Sequence, residues 1–142
     1  MIHEIEIKEF SNQLALEMGL EIIKLAKLRN KKIAVEIKRL NHIVFLFVDD
    51  SLGADKHIWL KKKSNVAMLF EMSSLSVRKN LEEKNRTLKD SYGLEDKDYA
   101  ASGGSIPIFV ENVGMVGTIT VSALKDFEDH QLILDALTGT YI

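Results

Sequence analysis

The residues with the greatest chemical capacity are His130, Asp129 and Lys63. His130 sits on the stripe Phe127, His130, Leu134, Leu137 and Tyr141, whose three- and four-residue steps make one apolar helical face. An imidazole there, one residue after Asp129, could serve as general base, metal ligand or haem ligand. It could equally be a core histidine whose ring satisfies a backbone carbonyl. Asp129 and His130 are chain neighbours and point apart on a helix, which disfavours an acid–base pair made of these two. Lys63 follows Trp59 by one helical turn, so its ammonium could lie over the indole at the edge of a pocket. A cation so placed would bind a carboxylate, a phosphate or a haem propionate. The alternative is a lysine of the run Lys61 to Lys63 that only solubilises its helix.

Other constellations are weaker. The turn Gly103-Gly104-Ser105 could offer backbone N–H groups to an anion. It precedes a strand rather than a helix, and neither GxxxxGK[ST] nor GxGxxG is present. His3, His42 and His57 lack the HExxH spacing that puts two ligands on one face, so no metal site is expected. With no Cys, thiolate nucleophiles, CxxC redox pairs and Cys-ligated zinc or iron–sulfur clusters are excluded. Met18, Met68, Met72 and Met115 read as core filler.

The elements that must position these residues follow from periodicity. A helix is predicted over about Ser11 to Leu28, with Ser11 or Asn12 as N-cap. Leu14, Met18, Ile22, Leu25 and Leu28 form one face, and Leu16, Leu20 and Ile23 project from nearly the other side. A helix apolar on two sides is covered twice, here by its own chain or by another subunit. In Lys32 to Lys38, Ile33, Val35 and Ile37 alternate with Ala34, Glu36 and Lys38. His42 to Val48 is nearly all apolar, as in a strand covered on both faces, and the two segments form an antiparallel hairpin. Helix resumes from Asp55 to about Lys84, with a break near Ser73-Ser74, and Arg86 to Ser102 is a short helix and loop. Strands are predicted at Ile106 to Glu111 and Met115 to Ser122, and a final helix from about Lys125 to Leu137. Gly114 and Gly117 flank the start of the last strand, where a close approach to a packed helix is favoured over one to a ligand. The expectation is therefore an α+β fold: a four-stranded, mostly antiparallel sheet packed with helices, in the order α-β-β-α-α-β-β-α.

The 142 residues are expected to form a single domain, 1–142, of ordinary globular composition, 46% hydrophobic and 28% charged. The longest apolar run, Ile43 to Val48, is far short of a membrane span, and Met1 to Phe10 has no signal-peptide pattern. A cytoplasmic protein without membrane contact is expected. The net charge of −2 conceals two unlike segments: residues 1–89 carry 17 basic and 12 acidic groups, residues 90–142 carry 2 and 9. Solvated helix ends explain this, as would charge complementarity between subunits or an anion-attracting patch. Nucleic acid is not an expected partner, because the basic stretch Lys24 to Arg39 lacks interleaved aromatics and the pI is near 6.1.

Several longer segments carry a resemblance. They are Arg86 to Gly93 (RTLKDSYG), Tyr99 to Ile108 (YAASGGSIPI), Gly114 to Ser122 (GMVGTITVS) and Glu128 to His130, with Trp59, Lys63, Asn65 and Val66 upstream. Together they resemble the HbpS/GlcG-like family, in the branch labelled "domain of unknown function" or "haem-degrading domain", over roughly Ser11 to Leu137. The resemblance implies a sheet packed with helices and assembly into dimers or larger rings. It carries Trp59, Lys63, Gly104, Asp129 and His130 as ligand-binding candidates, with no activity established for the branch. It implies haem as a possible cofactor, with His130 as candidate axial ligand and Lys63 as propionate partner. Ser102 stands where the family pattern has His, and Ala123 where it has Gly, the latter read as a mild change. Two functions remain open: a homo-oligomeric module that binds a small ligand or protein partner through an interface at Leu16, Leu20 and Ile23, and a haem-binding or haem-degrading protein.

Overall fold

The computed structural model describes residues 4–142. His3 therefore lies outside the described residues. The first element is a two-residue strand, β1 (Glu6–Ile7), followed by α1 (Asn12–Leu28), β2 (Ala34–Arg39) and β3 (His42–Val48). Then come three helices, α2 (Lys56–Phe70), α3 (Ser74–Glu83) and α4 (Leu88–Tyr92), and finally β4 (Ser105–Val110), β5 (Gly114–Ser122) and α5 (Asp126–Leu137).

The α+β class holds, but the chain order is β-α-β-β-α-α-α-β-β-α rather than α-β-β-α-α-β-β-α, and the sheet has five strands rather than four, in the order β1-β4-β5-β2-β3. The additional strand, β1, runs parallel to β4, with Glu6 opposite Phe109 and Ile7 opposite Val110, so the sheet is mixed. Two residues carry no readable alternation, and their pairing is fixed by a strand about a hundred positions away. The remaining pairs are antiparallel, including the β2–β3 hairpin. The predicted break in the middle helix is real. Glu71 ends α2 in the left-handed region at φ 52°, and the Ser73 hydroxyl accepts from the N–H of Ser76 to cap α3. Ser11 caps α1 in the same way, accepting from the N–H of Leu14.

The two sheet faces differ. On one, Val35, Ile37, Ile106, Ile108, Ile119 and Val121 pack with Met18 and Ile22 of α1 and Leu132, Ile133 and Leu137 of α5. On the other, beneath α2, Ala34 and Pro107 are buried beside the polar residues Glu36, Lys38, Ser105, Thr118, Thr120 and Ser122. Alternation in β2 would place Glu36 and Lys38 in water; α2 covers them instead. They are joined by an ion pair of 3.5 Å, Lys38 Nζ donates to Ser64 Oγ at 2.9 Å, and the Ser105 and Thr120 hydroxyls meet at 2.9 Å. A separate small core of Val66, Val77 and Leu88, with Phe70, Met72, Leu81 and Tyr99, locks α2, α3 and α4 together.

Gly117 is explained differently from the expectation. A Cβ there would lie 1.9 Å from the carbonyl oxygen of Lys38, so the close approach is to the neighbouring strand β2 and not to a helix. Because the obstacle is backbone within a ladder, relief requires the strands to part. Gly117→Ala is expected to destabilise the protein by about 3 kcal/mol, near the upper end for overpacking. Urea unfolding would read this as a lower midpoint with an unchanged slope; a shift below about 0.5 kcal/mol would show that β2 and β5 separate freely.

Candidate functional site

Lys63 projects from the middle of α2 toward the end of β5 and is almost fully buried, with 5% of its surface exposed. Its ammonium donates to Asp129 Oδ2 at 2.8 Å and to the carbonyl of Val121 at 3.1 Å. Asp129 lies in the first turn of α5, and its other oxygen, Oδ1, accepts from the N–H of Leu124 at 3.1 Å. One carboxylate thus ties the α5 N-terminus, the loop after β5 and α2. An acid in a first helical turn is also favoured by the helix dipole. Burial pushes the Asp129 carboxyl up to about 6, against the opposing pull of Lys63 and the Leu124 N–H.

Gly104 completes this cluster. It has φ 128°, and a Cβ there would lie 2.5 Å from the Val121 oxygen and 2.9 Å from both Lys63 Nζ and Asp129 Cβ. Only a residue without a side chain lets the ammonium reach its partners. The neighbouring N–H groups are engaged by the protein: Gly103 N donates to Asp126 Oδ2 at 3.4 Å and Ser105 N to Ser74 Oγ at 3.0 Å. The three-residue turn is thus a packing joint more than an open anion cradle.

Trp59 lies one turn before Lys63 but does not meet it. The cation over the indole is Lys62, 5.1 Å from the ring centroid, because Lys63 is turned inward to Asp129. Trp59 and Ser102 form a partition between two clefts. The smaller, about 290 Å³, is lined by Lys56, Trp59, Lys63, Ser102, Ser122, Ala123, Leu124 and Asp126. The larger, about 420 Å³, has Leu81, Leu88, Tyr99, Ala100 and Ala101 as apolar wall and Lys62, Arg78 and Arg86 as cations. Arg78 is already neutralised by ion pairs with Asp126 and Glu82. Lys62 and Arg86 were not among the expected site residues; the i+3 position of Lys62 relative to Trp59 was the available signal.

Ala123 lines the smaller cleft at φ 106°, a region that L side chains rarely adopt. The Gly that the resemblance implies at this position would be unstrained, so the exchange is more than mild.

His130 is separate from this cluster. It is 6% exposed and faces β1's side of the molecule, with Nε2 3.3 Å from Glu4 Oε1. Its Nδ1 is buried without a hydrogen-bond partner. The imidazole holds the Glu4 carboxyl below its usual range. His130 lines neither cleft. Of the five ligand-binding candidates, Lys63, Gly104 and Asp129 come together, Trp59 shares only the smaller cleft with Lys63, and His130 joins neither group. Among the described residues no group of three His, Cys, Asp or Glu could hold a metal ion. No helix of the described residues is long and apolar enough to cross a membrane.

The raised pKa of Asp129 has a defined effect on stability. The folded state retains a proton that the unfolded chain releases near 3.8, so folding is favoured at low pH and that part is lost as pH rises through about 6. Asp129→Asn is expected to flatten stability between about pH 4 and 6 relative to wild type. Carboxyl-carbon NMR should show Asp129 titrating near 6, and higher in Lys63→Met; a midpoint near 4 in both would mean the pair is solvated.

Comparison with known proteins agrees with this architecture. A family model described as "Haem degrading protein HbpS-like" matches residues 10–138. A UPF0303 protein of Psychromonas ingrahamii is 33% identical over 135 residues, which cover 95% of this chain and 85% of that protein. Among solved structures, the Ybr137w protein superposes with a TM-score of 0.85 at 26% identity, covering 94% of this chain and 80% of that one. A PduOC–haem complex shares the fold at 14% identity, with a TM-score of 0.74 and coverage of 94% and 99%. With the match spanning nearly every element from α1 to α5, the chain belongs to the HbpS-like family.

Proposed function

We propose that this protein is a binding module for a small anionic molecule, a single domain over residues 1–142 that acts in the cytoplasm as a homo-oligomer, without turnover. The observation that carries the reading is the ammonium of Lys63. It has three N–H donors, two are taken by Asp129 and Val121, and Lys63 lines a cleft from which a ligand would take the third. A buried donor held rigidly by two partners is pre-organised to bind, so little ordering cost falls on the ligand's arrival. Trp59 and Lys62 form the adjoining wall, where a second polar or planar part of the ligand would rest. The opposed net charges of the two halves of the chain support self-association as part of this reading.

Haem is the second reading, favoured by the shared fold with a protein solved in complex with haem. The residues here do not fit an axial His130: its Nε2 faces Glu4 and its ring reaches neither cleft. Neither cleft offers another His or a Met.

Trp59 is the sole tryptophan, so its fluorescence reports directly on the cleft. Titration with phosphate, acetate, succinate and citrate is expected to give a saturable change with at least one of them. The response should weaken roughly tenfold or more in Lys63→Met, as for loss of a charge-assisted hydrogen bond, and should also be blocked by Ser102→Phe, which leaves Lys63 in place. A linear, unsaturable response to every anion would exclude the anion site. Titration with haemin is expected to give a spectrum unaffected by His130→Ala; a stoichiometric Soret shift that vanishes in that variant would establish the haem reading instead.

A further inference from the structure

We infer that the outer edge of β3 pairs antiparallel with the same edge of a second copy of this chain, joining two five-stranded sheets about a two-fold axis. The inference rests on the self-association included in the proposed function and names the surface that would carry it.

β3 is the terminal strand of the sheet and pairs only with β2. The ladder phase shows which of its backbone groups are free. Asp49 N donates to the carbonyl of Ile33 at 3.0 Å, one step beyond the pair Ala34 and Val48. Bonded and non-bonded pairs alternate in an antiparallel ladder. Two steps back from Asp49, Phe47 is therefore bonded to Val35, while Leu46 and Val48 turn their N–H and C=O groups to the open side. Edges that stay single are normally blunted by lysine, proline or inward charge. From Ile43 to Val48 this strand has none of these, and its one irregularity, a bulge opposite Ile37 and Lys38, lies before the stretch Phe45 to Val48.

Two further observations select a second copy as the occupant. The strand is flanked by unlike charges: His42, with Arg39 across the turn, at its start, and Asp49 and Asp50 at its end. Antiparallel pairing of two identical strands brings each basic end beside the partner's acidic end, whereas parallel pairing would oppose like charges. The apolar surface also continues past the edge. α1 turns Ala15, Met18, Gly19 and Ile22 toward the sheet. On its α5 side, Arg29 pairs with Asp135 at 2.9 Å, and Glu17 and Glu21 act on Tyr141. At 100° per residue, Leu16, Leu20 and Ile23 fall on the opposite flank, beyond β3. Leu20 is 54% exposed and Leu16 40%, so an apolar strip of α1 lies beside the strand edge on the face that Phe45 and Phe47 share, while Leu46, opposite Glu36, lies on the other face. The two-fold would lay this strip against its own copy.

Sedimentation velocity of the full chain at micromolar concentration, together with amide exchange read residue by residue, tests this. The wild type is expected to sediment as a dimer or a multiple of it, with the Val48 amide strongly protected, and Leu46→Lys is expected to halve the mass and release that protection. If the assembly is unchanged in Leu46→Lys while Leu20→Glu dissolves it, edge pairing is overturned and self-association through α1 stands. If Leu46→Lys fails to fold, the wild-type exchange decides: an unprotected Val48 amide in an assembled protein overturns the pairing. A wild type that is monomeric throughout overturns both the pairing and the oligomer.

Discussion

The contact on which the site depends is the ion pair between Lys63 and Asp129. Neither charge could be buried alone: an uncompensated ammonium or carboxylate away from water costs several kcal/mol, roughly 3–5 when one partner is removed. Each member therefore fixes the element that carries it. Lys63 sets the rotation of α2 over the sheet, and Asp129 sets the first turn of α5 and, through the Leu124 N–H, the path of the chain leaving β5. Gly104 is a consequence of the same contact, since a side chain there would occupy the space of the ammonium. A buried pair is seldom more stabilising than apolar residues of the same volume. Its presence is better explained by what it positions, namely α2 over the sheet and the first turn of α5.

The polar face beneath α2 extends this logic. The opposite face of the sheet is closed by aliphatic packing against α1 and α5 and leaves nothing for a ligand to recognise. Beneath α2, Lys38 donates to Ser64 and pairs with Glu36, and the Ser105 and Thr120 hydroxyls meet, while Thr118 Oγ1 has no hydrogen-bond partner. Burial raises the Glu36 carboxyl, with Lys38 opposing, and its Oε1 accepts no hydrogen bond. Polar groups out of water demand defined partners. This face therefore orients α2 more narrowly than apolar packing would, and α2 is the helix that carries Trp59, Lys62 and Lys63.

What was legible in the sequence was local. Helical spacing located α1, and the serines at 73 and 74 marked the break between α2 and α3; the apolar run located β3 to its end residues but suggested a central strand covered on both faces, whereas β3 is the half-exposed edge of the sheet. The residues worth watching were also visible, because Lys63, Asp129 and His130 stand out by type against their neighbours. Their partners were not. Lys63 was expected over Trp59, one turn away, and instead meets Asp129, 66 positions later; His130 meets Glu4 across nearly the whole chain. Strand β1 was missed for the same reason, since Glu6 and Ile7 are a strand only because β4 lies beside them. Glu36 and Lys38 read as a solvent face because alternation reports polarity, and polarity does not distinguish water from a buried polar network.

The family's label and this chain's residues point in different directions, and the geometry says why both can be true. The fold rests on its aliphatic face, its ladder register and its tight joints at Gly104 and Gly117, none of which selects a ligand. The cleft wall carries Ser102 and, at φ 106°, Ala123. The one imidazole near the final helix is committed to Glu4, on the far side of Asp129 from the cleft. Adjacent positions on a helix point about 100° apart, so the carboxylate that holds Lys63 and the imidazole that holds Glu4 serve different neighbours. In the proposed reading, the ammonium that Asp129 holds shares a cleft with Trp59 and Ser102 and would recognise negative charge without a metal-bound group.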